Sequence, residues 1–468
     1  MTPRSLKGYV HILVIVLIVA AASMAGGYLL LRNAGAPAPG AASKNENKEE
    51  GNTQALEPRP EQKNESRNIP AALAPHESEA QRPALSVPSA PQPPAPQQQP
   101  RPQPVRAGLF GQQCAGSGDF KLKTFPIDPA SIEFIQPMGR VQDSHVTPTN
   151  HQYIVPLGSV SGSFITDNPK KYEIKAPADG YIIAIELFKQ PVEEQYRNQP
   201  YQDNYLVVFE HTCDFYTRLI HIDTLSEKVL SSFAFKDPSA AHPYASTRIS
   251  VKEGEAIGTV GSHSFDFQII NTKVKNPRII NPKQLEEISA YTVDTFDYLA
   301  EPARGALLAK NLVQTAPLGG TIGYDIPGKL AGNWFKVGRN RDKGDYWNDE
   351  LSVVYDHFDP TQIRVSIGNF NGSPKAHGVA GNAPDPSAVG PDSGLVKYRL
   401  VTFDYFAGGV RWDGLHFAQN LVAKNTDEVR GTALLQMLDE RTLKMEVFPG
   451  AADGQATGFT SAATMYER

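Results

Sequence analysis

Among the 468 residues are eleven histidines, and several stand where imidazole chemistry would have company. His145 and His151 bracket Val-Thr-Pro-Thr-Asn, His211 closes an apolar run, His221 follows Tyr216-Thr-Arg-Leu-Ile, and Asp266 lies within Ser264-Phe-Asp-Phe-Gln268. Imidazole exchanges a proton near neutral pH and ligates zinc, and a carboxylate oxygen also ligates zinc. General acid–base work and metal-assisted hydrolysis are therefore the chemistries to examine. A second cluster, Asp356-His-Phe-Asp359, is short and falls in an expected turn, too slight to name as a site. Trp334, Trp347 and Trp412, with Tyr355 and Tyr405, offer faces for a sugar, and Asp325, Asp356 or Asp359 offers hydroxyl partners; in a β domain such aromatics first fill the core. Cys114 and Cys213 are the only cysteines, so they form either one bridge or two separate thiols.

Short strands must position these groups. Tyr172 to Ala176, Gly180 to Glu186, Tyr205 to Glu210, Phe215 to His221, Ile249 to Val251 and Phe265 to Ile270 read as strands, with turns at Pro177 to Gly180, Lys252 to Gly254 and Gly258 to Gly261. That spacing predicts an all-β barrel or sandwich. A helix ending at Leu308, starting at Asp294 or, given Pro302, at Tyr298, would connect it to a second β-rich barrel or sandwich. The second region carries Gly332 to Phe335, Leu351 to Tyr355, Ile363 to Gly368, Ala433 to Leu438 and Leu443 to Phe448.

The ends read differently. Tyr9 to Leu31 is an uncharged apolar run of membrane-spanning length, preceded by Arg4 and Lys7; its apolar character resumes beyond the usual signal-peptide core, which favours an anchor, with a cleaved signal peptide as the alternative. The Ala-, Pro- and Gln-rich stretch after it cannot bury enough surface to order itself and reads as a spacer. The expected organisation is thus 1–32 cytoplasmic tip and transmembrane anchor, 33–107 spacer, 108–280 first β domain, 281–314 helical connector and 315–468 second β domain. With 45 Lys and Arg against 50 Asp and Glu, the formal charge of −5 excludes a globally basic nucleic-acid binder.

Ile174-Lys-Ala-Pro-Ala-Asp-Gly-Tyr-Ile182, Val207-Val-Phe-Glu-His211, Tyr216-Thr-Arg-Leu-Ile-His221 and Val251-Lys-Glu-Gly-Glu-Ala-Ile-Gly258, in this order, resemble the duplicated hybrid motif fold of the M23 (lysostaphin-like, LytM-like) zinc peptidases. The resemblance covers residues 135 to 275. It implies a β barrel-sandwich, zinc chemistry on cell-wall peptides, and His221 as one of the histidines beside the attacked carbonyl, with His211 a second candidate. Where the family has His-Leu-His-Phe-Glu this chain has Ser264-Phe-Asp-Phe-Gln268, which leaves Ser264 in place of an auxiliary histidine and Asp266 in place of a ligand. His145, His151 and Asp266 are then the expected zinc ligands, with Tyr216 and Ser264 expected at the substrate.

These readings converge on a single-pass inner-membrane protein with extracytoplasmic β domains, acting at the cell envelope on a peptidoglycan peptide or envelope partner with catalysis weakened or lost. A divergent zinc metallopeptidase and an exported small-ligand or carbohydrate-binding module stand beside that expectation.

Overall fold

The computed structural model describes residues 106–468 apart from 110–112, 115, 117–119, 143–144, 160–167, 169, 189–202, 342–345 and 453. It opens on a small hairpin, β1 (Arg106–Ala107) and β2 (Gln113–Cys114), from which Cys114 is bridged to Cys213 with a Cα–Cα separation of 5.1 Å. The two cysteines are therefore one disulfide. Such a bridge persists in oxidising surroundings and pins the lead-in to the turn before the central strands.

The first domain is built from β3 (Ile132–Gln136), β4 (Gln152–Pro156), β5 (Tyr172–Lys175), β6 (Gly180–Leu187), β7 (Tyr205–Glu210), β8 (Phe215–Ile222), β9 (Thr224–Leu225), β10 (Tyr244–Val251), β11 (Ala256–Val260) and β12 (Phe265–Asn271). Seven strands pair antiparallel in the order β10-β6-β7-β8-β12-β4-β3, and β5-β11-β9 form a second, smaller sheet. Inward-facing Ile182, Ile185, Val207, Leu219, Phe267 and Ile269 meet Ile174, Ile257 and Val260 of the small sheet in one core. Gly258 is required there, because a Cβ would lie 2.1 Å from the Thr224 carbonyl oxygen of the paired strand.

Every residue of β7, β8 and β12 is buried. Their outer face is covered too, by residues 282–292, whose Ile288 joins Ile183, Val208, Tyr216, Ile220 and Ile270. Strands covered on both sides must bury any polar side chain they carry. Arg218, Asp266 and Gln268 are in that position, with Arg218 opposite Gln268 and Ile220 opposite Asp266 in the β8–β12 register.

The expected single connecting helix is instead a 3-10 turn at Thr295–Tyr298 and a helix at Ala303–Leu308, with Pro302 at its N-cap. Proline cannot donate within a continuous helix and divides the segment.

The second domain comprises β13 (Gly332–Lys336), β14 (Glu350–Tyr355), β15 (Ile363–Phe370), β16 (Ser373–Val379), β17 (Val396–Ala407), β18 (Val410–Arg411), β19 (Val422–Met437), β20 (Thr442–Pro449) and β21 (Thr464–Glu467). The order β16-β15-β14-β13-β21-β20-β19-β17, with β17 pairing back onto β16, closes an eight-stranded antiparallel barrel, and β18 extends β17 as a flap. Closure leaves the barrel itself without an unpaired edge. Trp334, wholly buried, fills the interior and donates its indole N–H to the Leu330 carbonyl at 2.8 Å. Trp412 instead packs edge-on to Phe134 of β3, at 5.6 Å between centroids, where the barrel meets the first domain.

The membrane-anchored architecture is corrected. No helix among the described residues is long or apolar enough to cross a bilayer. The Ala303–Leu308 helix has 6 residues, spanning about 9 Å against about 30 Å of hydrocarbon. Tyr9 to Leu31 lies outside the described residues, as does most of the expected spacer. A single-pass placement, a membrane partner and an anchored role at the envelope therefore have no structural support.

Candidate functional site

Three elements bring imidazoles and a carboxylate together on the outer face of the large sheet. β12 supplies Asp266, the end of β8 supplies His221, and the turn entering β4 supplies His151. His221 has φ +71° beside a register shift between β7 and β8, a backbone state that bulky residues rarely adopt and that redirects its ring. Asp266 Oδ2 lies 3.3 Å from His151 Nε2 and 3.5 Å from His221 Nε2, with all three side chains about 5 % exposed or less. His145 joins by an edge-to-face contact with His151, ring centroids 5.6 Å apart.

Burial controls the protonation of this group. It pushes His221 down to about 3, helped by the charges of His263 and His145, and pushes His145 down to about 3, helped by Arg140. His151 is held well below the usual imidazole range by burial and then by His145, Arg218 and His221. Burial raises the Asp266 carboxyl well above its usual value, against the pull of Arg218. Two neutral imidazoles thus face a carboxyl group that favours its protonated form, with His145 packed behind His151.

The tautomer of His151 follows from its neighbour. Asn150 Nδ2 donates to Glu286 Oε2 at 2.7 Å and to Ser289 Oγ at 2.8 Å, so Asn150 Oδ1 is the acceptor facing His151 Nδ1 at 3.0 Å. His151 therefore carries its proton on Nδ1, and Nε2 presents a lone pair toward Asp266. His221 Nδ1 meets the side-chain amide of Asn204 at 2.9 to 3.1 Å, which leaves its Nε2 turned to the same oxygen.

The expected zinc centre is corrected by this arrangement. Among the described residues no group of three or more His, Cys, Asp or Glu side chains is placed to hold a metal ion. The carboxylate is engaged pairwise by two imidazoles, and His145 packs its ring on His151. The three expected ligands are neighbours without being a coordination shell.

Other expected site residues are placed elsewhere. His211 spans the Asp179 carbonyl at 3.0 Å and Thr217 Oγ1 at 2.9 Å, stacked on Phe120, and burial pushes it down to about 4. Both its ring nitrogens serve the packing of the strand ends. Tyr216 is wholly buried; its hydroxyl donates to the Cys213 carbonyl and accepts from the Leu109 N–H, each at 2.8 Å. It staples the disulfide turn to the lead-in. Ser264 stands half-buried immediately before β12, and its carbonyl oxygen lies 2.9 Å from His263 Nδ1.

Sequence reading missed His263 and Asp223. His263 Nε2 lies 2.9 Å from both Asp223 oxygens, and Asp223 Oδ2 also accepts the Gly261 N–H at 2.7 Å. Both ring nitrogens face acceptors, and the pair fixes the entry to β12. The only signal was proximity: Asp223 is two residues past His221, and His263 directly precedes Ser264. Asn150, Arg218 and Glu286 were missed as well, since no motif marks them.

A cavity of about 50 Å³ opens beside His151, lined by residues from both domains: His145, Thr147, Asn150 and His151 on one side, and Asn333 and Glu350 of the barrel on another. Leu285, Glu286, Ser289 and Arg341 form further parts of the wall. Glu350, whose carboxyl burial raises despite a hydrogen bond from Arg339, accepts from Thr147 Oγ1 at 3.5 Å across the domain boundary. Among the lining residues, His151 Nε2 and Asn333 Nδ2 are buried with no hydrogen-bond partner, and the Arg341 guanidinium lines the same cavity.

Comparison with known proteins adds a weak and partial likeness. No family model matches the chain, and no curated protein matches it. Among solved structures, a zinc-containing peptidase from Vibrio cholerae aligns at 15 % identity over 33 % of this chain and 38 % of its own, with a TM-score of 0.18. Lysostaphin aligns at 12 % identity over 57 % of this chain and 96 % of its own, with a TM-score of 0.17. The chain thus spans well under half the length of the first of these. The similarity, weak and partial, is to M23- and lysostaphin-type peptidases.

Proposed function

We propose that this chain is a ligand-binding protein whose site is the cavity between the first domain and the barrel, and that the group it takes is a neutral amide. The reading rests on a mismatch of hydrogen-bonding sense. His151 Nε2 is an acceptor with no hydrogen-bond partner, facing Asp266 Oδ2 at 3.3 Å. That nitrogen is short of a donor. Across the same cavity Asn333 Nδ2 is a buried donor short of an acceptor, since its own carbonyl already accepts from Ser352 Oγ at 2.7 Å.

An amide answers both deficits at once, with N–H for the imidazole and C=O for Asn333. A carboxylate brings acceptors alone, and an ammonium brings donors alone. A cavity of about 50 Å³ has room for a few water-sized groups, which suits an amide and little more. Each buried atom left unmatched costs about 1–3 kcal/mol, so matching both favours a ligand strongly relative to its size.

The test uses N-acetylglycinamide as probe, followed by nitrogen-15 NMR of the imidazoles in the full chain. A saturable shift at His151 Nε2 is expected, weakened roughly three- to tenfold by Asn333→Ala for the loss of one hydrogen bond. No saturable shift, or one undiminished in the variant, overturns the reading.

A further inference from the structure

The outer face of the large sheet is closed by a stretch of the chain itself. Residues 282–292 cross β8 and β12 as two 3-10 turns, Pro282–Gln284 and Glu287–Tyr291. Between the turns, Glu286 lays its carboxylate on Arg218, with Nη1–Oε1 at 2.7 Å and Nη2–Oε2 at 3.2 Å, and accepts from Asn150 Nδ2 at 2.7 Å. A two-point guanidinium contact with an added amide N–H is how proteins recognise a carboxylate, whether it belongs to the chain or to a ligand.

The rest of this strap fits the sheet less completely than its glutamate does. Gln268 Nε2 donates to Thr292 Oγ1 at 2.6 Å, yet Gln268 Oε1 has no partner. Arg218 Nε, on a side chain about 4 % exposed, also has none. The sheet therefore offers more hydrogen-bonding capacity than the strap uses. A segment shaped only to seal a core would leave few such atoms beneath it.

We propose that Arg218 and Asn150 form a carboxylate-binding cradle that Glu286 fills in cis, and that residues 282–292 lift away when a ligand carboxylate takes its place. The proposal rests on the amide reading in one respect. Asn150, Glu286 and Ser289 line the same cavity as His151, so one ligand reaches both sites when it carries a carboxylate a few atoms from an amide. An N-acyl amino acid or the C-terminal end of a peptide has that form. The internal carboxylate acts as a tethered competitor: it lowers the apparent affinity for such a ligand and keeps the cradle from standing open and unpaired.

Hydrogen exchange on the full chain, with N-acetylglycine and N-acetylglycinamide as matched probes, tests this directly. N-acetylglycine should raise exchange at the amides of residues 286–292 saturably, whereas N-acetylglycinamide, which lacks the carboxylate, should not. Glu286→Gln should bind N-acetylglycine roughly tenfold or more tightly than the wild type, because the tethered competitor is gone. Ile288→Ala, which leaves the Arg218 contact in place but weakens the strap's apolar hold, should move affinity the same way and serves if Glu286→Gln does not fold. The cradle is overturned if N-acetylglycine leaves strap exchange unchanged in the wild type, or if neither variant tightens its binding. Binding of N-acetylglycinamide at His151 together with no strap response to N-acetylglycine would keep the amide site and remove the cradle.

Discussion

Asp266 in the first domain and Asp356 in the barrel are the same residue type at nearly the same depth, 4 % and 2 % exposed, yet their protons behave oppositely. Around Asp356, Oδ1 accepts the N–H groups of Phe358 and Asp359 at 2.9 and 3.0 Å. Its Oδ2 accepts Arg364 Nε at 2.8 Å and the Tyr405 hydroxyl at 2.7 Å. Burial raises the Asp356 carboxyl, but Arg364, His357 and these donors outweigh it and hold the group below the usual range. Asp266 has the His151 Nε2 lone pair in front of it and no partner at all for Oδ1, so burial prevails and the carboxyl is raised. Donors, and not depth, decide which buried acid is structural and which is left with unmet demand.

The largest expected effect comes from breaking the satisfied side of the comparison. Asp356→Ala leaves Arg364 buried and unpaired and should cost about 3–5 kcal/mol of folding stability. Asp266→Ala removes a group that makes few good contacts and should cost about 1 kcal/mol or less. Urea denaturation of both variants beside the wild type checks the pair. Equal losses would mean that the two carboxyl groups are stabilised alike.

A pH profile sharpens the same contrast. His221 is pushed down to about 3 in the folded chain, whereas it titrates near 6.5 when unfolded. Below about pH 6.5 the unfolded state therefore binds a proton that the folded state refuses, and stability falls as the pH drops toward 3. Asp266 works the other way, because its raised carboxyl keeps a proton in the folded state above pH 3.8, and that contribution fades as the pH rises through its folded value. His221→Asn tolerates the positive φ and removes one titrating imidazole. It should reduce the slope of stability against pH by about 1.4 kcal/mol per unit between pH 6 and 4. Parallel wild-type and variant profiles would show that His221 already carries its charge in the fold.

What the sequence revealed follows the same physics. Strands such as Tyr205–Glu210 and Phe215–Ile222 were legible because β-branched and aromatic residues cluster between glycine and proline turns. Barrel closure was not, since the pairing of Phe335 with Glu467 joins the first and last strands of the barrel, far apart in the chain, and leaves no local mark. The site was legible by residue type and illegible by role. His151, His221 and Asp266 do meet, but the sequence carries no trace of the Asn150 orientation that fixes the His151 tautomer or of the backbone twist at His221. Tyr216 and His211 occupy motif positions, yet each is consumed by local hydrogen bonds. Arg218 and Glu286 are a pair made by a crossing segment, and the 68 positions between them hide it.

The smallest expected effect is the one that tests the comparison crosswise. Asp266→Asn keeps the shape of the side chain and supplies an N–H where the His151 Nε2 lone pair lacks a donor, so it should raise stability by about 0.5–1.5 kcal/mol, the usual net worth of one hydrogen bond. The same change at Asp356 removes the charge that balances Arg364 and should destabilise. Asp266→Asn should also weaken binding of an amide ligand, because the substitution satisfies from within the demand that the ligand's N–H would otherwise meet. A variant that is more stable and binds less well ties the two properties to one missing donor. Loss of stability in both variants would place Asp266 with Asp356, as a carboxylate whose charge the fold requires.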